Sequence, residues 1–196
     1  MFYHEERFIL GSWFRFYFIE NEGMAYGWKF GGEWGKVLLT LFRLVAVLFG
    51  SWYLKRIVDQ KYHSGFIFCA SLIYAGALGN LIDSMFYGMI FTGSEIGAPL
   101  ATLFPEKGYA GFLHGHVVDM LYFPIIDNQI MPSWMPFIGG KPFTFFQPIF
   151  NIADAAISTG IISILVFQKR FFKETPQEQT ATVETNSKVN DESQVL

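Results

Sequence analysis

The chain has 196 residues, of which 52% are hydrophobic, 19% aromatic and only 16% charged; soluble domains carry roughly a quarter charged residues, so an ordinary soluble fold is excluded. The formal net charge of -3, with no Lys/Arg cluster interleaved with aromatics, excludes nucleic acid as the partner. The single cysteine, Cys69, lies in an apolar run; it has no disulfide or Cys-ligand partner and reads as a small buried apolar residue.

The first 35 residues contain Trp13, Phe14, Phe16, Tyr17, Phe18, Tyr26, Trp28, Phe30 and Trp34, an aromatic density typical of a segment lying at a membrane interface. Alternation around residues 14–19 predicts a short strand or two within it. Residues 36–54, 65–82 and 151–167 are then the stretches apolar and long enough to span a bilayer. Beyond Lys36 at its edge, the first holds one charge, Arg43, and an arginine inside a span faces protein or water rather than lipid, which points to pairing with a carboxylate or a lipid headgroup. Lys55, Arg56 and Lys61 follow the first span, and Lys169, Arg170 and Lys173 follow the third. Positive loops stay in the cytoplasm, so the first span runs inward, the second outward and the third inward again. Residues 1–35 form an extracytoplasmic interfacial segment, and residues 36–168 a transmembrane core with an outside insertion at 84–150. Residues 169–196 are a disordered cytoplasmic tail, rich from residue 174 onward in Gln, Thr, Glu, Ser and Asn without an aromatic. Because nothing visible would carry the N-terminal segment across the membrane, the expectation is that the chain starts late and a first span has been lost.

This topology gathers three carboxylates on the outer side. Asn80 and Asp83 are three residues apart at the end of the second span, and Asn151 and Asp154 have the same spacing at the start of the third, so each pair shares a helix face. For Asn151 and Asp154 a helix cap accounts for the pattern. Asp83 just past a helix end would meet the negative end of the dipole and needs a partner or a function. Asp119 lies in Val117-Val118-Asp119-Met120-Leu121-Tyr122-Phe123, too apolar for a solvated loop acid. Two carboxylates held close cannot both ionise. The ionised one can take a proton from a water attacking a peptide carbonyl, while the protonated one donates to the carbonyl oxygen. Such chemistry needs no cofactor and no metal, and the chain has no Ser-His-Asp pattern and no helical His-Glu-x-x-His motif.

The motifs resemble those of the lipoprotein signal peptidase (signal peptidase II) family, in the family's order and over most of residues 8–167. Asn21-Glu22-Gly23-Met24-Ala25-Tyr26-Gly27 is similar to Asn-x-Gly-x-Ala-Phe-Gly, and Gly79-Asn80-Leu81-Ile82-Asp83 to Gly-Asn-x-x-Asp. Val117-Val118-Asp119 and Phe150-Asn151-Ile152-Ala153-Asp154 follow. The resemblance implies that Asp119 and Asp154 are the catalytic aspartates, with Asn21, Gly23, Asn80, Asp83 and Asn151 as supporting or substrate-binding residues. It implies an all-α membrane protein, a small bundle of transmembrane helices with three visible and four expected, plus an extracytoplasmic interfacial β-rich segment. The implied activity is that of an intramembrane aspartic endopeptidase cutting diacylglyceryl-modified prolipoproteins before the lipidated cysteine. The lipid-modified prolipoprotein and membrane lipid are the implied partners. The protein would act as a monomer in the bacterial inner membrane, with its active site on the outer face.

The sequence departs from the family in three respects. The family's first span and its Asp-Gln-x-Thr-Lys motif are absent, and Asp59-Gln60-Lys61 lies on the cytoplasmic side and cannot substitute. The basic residue common after Gly-Asn-x-x-Asp is replaced by Ser84, leaving Arg43 or Arg15 to supply that charge. Residues 85–116 and 125–147 read as outside insertions with Gly and Pro turns. A proton- or ion-coupled transporter is the alternative, but its acids would sit at mid-membrane on broken helices. A metalloenzyme would rest on His114 and His116 with the nearby aspartates, but a His-x-His in a loop is common without metal and a ligand set needs three or four converging groups.

Overall fold

The computed structural model describes residues 1–21, 32–145 and 147–172. Strands β1 (Glu6–Leu10) and β2 (Phe14–Asn21) form an antiparallel hairpin, turned at Gly11 with its φ of 54°. The alternation at residues 14–19 therefore belongs to a strand, as its period suggests. Next come helix α1 (Gly32–Asp59) and helix α2 (Ser64–Ile90). A short turn joins them, in which Lys61 takes a left-handed φ of 54° and the His63 ring accepts from Gly65 N at 3.0 Å to cap α2. Strands β3 (Val117–Tyr122), β4 (Ile126–Ile130), β5 (Pro142–Phe145) and β6 (Ile149–Phe150) follow, and helix α3 (Ile152–Phe171) closes the described chain.

Among the described residues, three helices are long and apolar enough to cross a membrane: Trp34–Asp59, Ser64–Ile90 and Ile152–Phe171. Their surfaces agree with the composition. Phe42, Leu48, Phe68, Ile162 and Val166 are more than half exposed, which is tolerable only where lipid is the solvent. What holds the helices together is close approach at small residues, because apolar burial drives little association in lipid. A Cβ on Gly76 would collide with Ala153 O, and one on Gly160 would lie 2.7 Å from Cys69 O. At both glycines the α2 and α3 backbones touch.

All-α is too narrow a description. Four strands form one antiparallel sheet in the order β1-β2-β3-β6, and β4 and β5 make a separate hairpin. The sheet joins the N-terminal segment to strands from the stretch between α2 and α3. The architecture is therefore a helical membrane unit carrying a β-sheet.

α2 also runs further than the apolar count predicts, ending at Ile90 rather than near residue 82. The loop after it turns back along its last turns. Phe104 N, Ala110 N, Leu113 N and Gly115 N donate to Ile90 O, Gly88 O, Met85 O and Ser84 O at 2.8 to 3.2 Å. Carbonyls at a helix end need such partners. At Gly115 the strap lies so close that a Cβ would collide with Asp83 O, and two residues later the chain enters β3.

Candidate active site

Four elements, β2, β3, α2 and α3, supply the side chains. On β3 the pleat alternates, and Val117 and Asp119 face inward, at 3% and 2% exposure. The β2–β3 register sets Asn21 opposite Val117, so Asn21 is the diagonal neighbour of Asp119 on the same face. Its Nδ2 donates to Asp119 Oδ2 at 3.0 Å. α2 contributes Asn80, 7% exposed, whose Nδ2 donates to Asp154 Oδ1 at 2.8 Å. α3 contributes Asp154 in its first turn and Asn151 as its N-cap.

Asn151 is the hub. Its Oδ1 accepts from Asp154 N at 2.9 Å, the ordinary capping bond. Its Nδ2 donates to Asp119 Oδ1 at 2.9 Å and to Asn80 Oδ1 at 3.2 Å. One amide thus spends both hydrogens and its oxygen on the site, tying the strand aspartate to the helix aspartate. Burial pushes the Asp119 carboxyl up to about 6; the amide donors Asn21 and Asn151 and the Arg43 charge pull the other way, while the Asp154 charge adds to the rise. No buried side-chain nitrogen or oxygen among the described residues lacks a partner.

Asp83 stands apart from this network. It lies within α2, seven residues before its end, so the unfavourable dipole contact expected from the sequence does not arise. It interacts with the Tyr87 hydroxyl one turn on and with the Arg43 charge. The motifs do not point to Tyr87; its spacing of four from Asp83 on one helix face is the signal that could have found it. Gly23 lies outside the described residues.

Of the two arginines that could serve in place of a basic residue at position 84, Arg43 reaches the site. Its Nη1 donates to Ser84 Oγ at 2.8 Å, and Asp154, Asp119 and Asp83 all feel its charge. Arg15 instead pairs with Glu6 at 2.9 Å and Asp127 at 2.5 Å, and its guanidinium lies 4.7 Å from the Phe8 ring centre. The two histidines are engaged elsewhere. His116 Nδ1 meets Glu20 Oε2 at 2.9 Å and His114 Nδ1 meets Phe112 O at 2.9 Å. Among the described residues no group of three or more His, Cys, Asp or Glu side chains is placed to hold a metal ion.

A buried carboxylate on a strand and a half-buried one on a helix, linked through Asn151 and Asn80, are the groups that could share a proton and activate a water. The family model described as Signal peptidase (SPase) II matches residues 1–170. The chain belongs to the signal peptidase II family. A lipoprotein signal peptidase of Porphyromonas gingivalis is 48% identical over 164 residues, 83% of this chain and 70% of that protein. One of Amoebophilus asiaticus is 34% identical over 182 residues, 92% and 72% of the two chains. A bacterial membrane enzyme solved by the in meso method at 2.3 Å resolution shares the fold, with a TM-score of 0.50 at 22% identity over 90% of this chain and 78% of that one. Signal peptidase II membership makes this chain a membrane-embedded peptidase of the aspartic type.

Proposed function

We propose that this chain removes signal peptides from diacylglyceryl-modified prolipoproteins by cutting before the lipidated cysteine, with Asp119 and Asp154 as the catalytic pair. The observation that carries the reading is the Asn151 bridge, which ties Asp119 to the helix end that bears Asp154. Family membership and the 48% identity to a lipoprotein signal peptidase support the substrate class.

In the proposed reaction the carboxylate pair holds one proton. Asp119, which burial disposes to keep it, donates to the scissile carbonyl oxygen while its partner takes a proton from the attacking water. The tetrahedral intermediate then collapses, the amine of the lipidated cysteine leaves with a proton from the pair, and the signal peptide departs with a new carboxylate. Asn21, Asn80 and Asn151 keep the two carboxyl groups in place, since each donates to one of them. Asp83, through Tyr87 and Arg43, supports the pair from α2.

We further place the protein in the bacterial inner membrane as a monomer, with the pair at the outer face, where a lipid-anchored substrate and membrane lipid meet it. The basic residues at and just beyond the end of α1 and at the end of α3 support that orientation. The test is prolipoprotein processing in membranes by Asp119→Asn and Asp154→Asn. Each variant should lose at least roughly 100-fold in rate, the lower range for a positioned acid or base. Processing at the unsubstituted rate by either variant overturns the pair.

A further inference from the structure

α1 turns apolar side chains outward almost everywhere. Leu38, Phe42, Val45 and Leu48 are all more than 60% exposed. One stripe differs: Lys36, Thr40, Arg43 and Val47, spaced by four, three and four residues, lie on the side toward the protein. Lys36, Thr40 and Val47 are buried and Arg43 is half-buried. Thr40 Oγ1 lies 3.1 Å from Leu113 O of the strap, which pins that stripe beside the site. Placing an arginine within a span is costly, so its position calls for a compensating role.

Ser84 receives it. That residue has no exposed surface, and its hydroxyl accepts from Arg43 Nη1. The small side chain leaves room for a guanidinium from the neighbouring helix. The acids whose charge acts on this cation are Asp83 on α2, Asp119 on β3 and Asp154 on α3. On its own helix the nearest cation of the stripe is Lys36, two turns away.

We propose that Arg43, clamped on Ser84, is a positioning residue that keeps a single negative charge on the Asp119–Asp154 pair. The inference rests on the reading of that pair as catalytic. Without a fixed cation, two carboxylates in a buried site take up a second proton at higher pH, and the doubly protonated pair has no base. A guanidinium stays charged throughout the working range, and its planar fork holds direction where an ammonium would not.

The test uses the full chain in nanodiscs and the variants Arg43→Gln, Arg43→Lys and Ser84→Ala. With a diacylglyceryl-modified prolipoprotein as substrate, Arg43→Gln should move the acid limb of the kcat/KM profile upward by about one to three pH units, the range for a carboxylate losing an arginine neighbour. Arg43→Lys should recover most of that displacement, and Ser84→Ala should show a smaller shift in the same direction. A lower rate with an unmoved acid limb means a merely structural role and overturns the proposal. Infrared titration without substrate reads the same quantity: the protonated-carboxyl band that is lost in Asp119→Asn or Asp154→Asn should persist to higher pH in Arg43→Gln. An unshifted band also overturns it. A shifted band in a protein that cleaves no prolipoprotein would sink the substrate reading and leave the Arg43 assignment standing. Should Arg43→Gln fail to fold, Ser84→Ala decides, and an unmoved limb and band in that variant refute the clamp.

Discussion

Asn151 shows how two explanations of one residue can both hold. The sequence offers a helix cap, and the side-chain oxygen does cap α3. The nitrogen of the same amide ties Asp119 to Asn80, which no spacing rule could show because those partners come from a strand and another helix. The two jobs separate by substitution. Asn151→Ser keeps a good cap but removes both amide hydrogens, so prolipoprotein processing should fall at least tenfold while the melting temperature in detergent stays nearly unchanged. Asn151→Ala loses the cap as well and should cost about 1 kcal/mol of stability. Equal processing by Asn151→Ser and the unsubstituted chain would show that the bridge to Asp119 contributes nothing to the reaction. Arg43 is conspicuous in the sequence as the charge inside a span, but its hydrogen bond to Ser84 is not legible there.

At the scale of elements, hydropathy finds the three helices and misjudges where α2 stops. Asp83 interrupts the apolar run, yet the next residues, Met85-Phe86-Tyr87-Gly88-Met89-Ile90, continue the helix because the strap supplies hydrogen-bond donors to its carbonyls. Those donors come from 14 to 31 residues downstream, where a local window cannot see them. The α2–α3 contact depends instead on glycines whose spacing gives no sign of it. Gly160→Ala would press a methyl group to within 2.7 Å of Cys69 O, and overpacking of that kind costs about 1 to 3 kcal/mol. A methyl group added at Gly111 would meet nothing within 4 Å, so Gly111→Ala serves as the control. Thermal unfolding in detergent should show a lower midpoint for Gly160→Ala than for Gly111→Ala. Matching midpoints would mean that the helices can part without cost.

For the whole molecule, the proposed orientation rests on where the basic residues lie, and it can be tested with single cysteines, since the native Cys69 is buried. Ser133, in the turn between β4 and β5, and Gln60, between α1 and α2, are both exposed. In spheroplasts a membrane-impermeant maleimide should label Ser133→Cys at once and Gln60→Cys only after lysis; the reverse pattern would invert the topology. Sequence by itself determined the membrane class, the three apolar helices, the strand near residue 14 and the candidate acids, because hydropathy, alternation and motif spacing are local properties of the chain. Only the tertiary structure decided that the N-terminal hairpin joins β3 and β6 in one sheet, that Asn151 links Asp119 to α3, and that Arg43 lies against Ser84 while Arg15 pairs with Glu6 and Asp127. The pairings of β3 with β6 and β2 join residues separated by 27 to 107 positions, and packing fixes them where periodicity cannot.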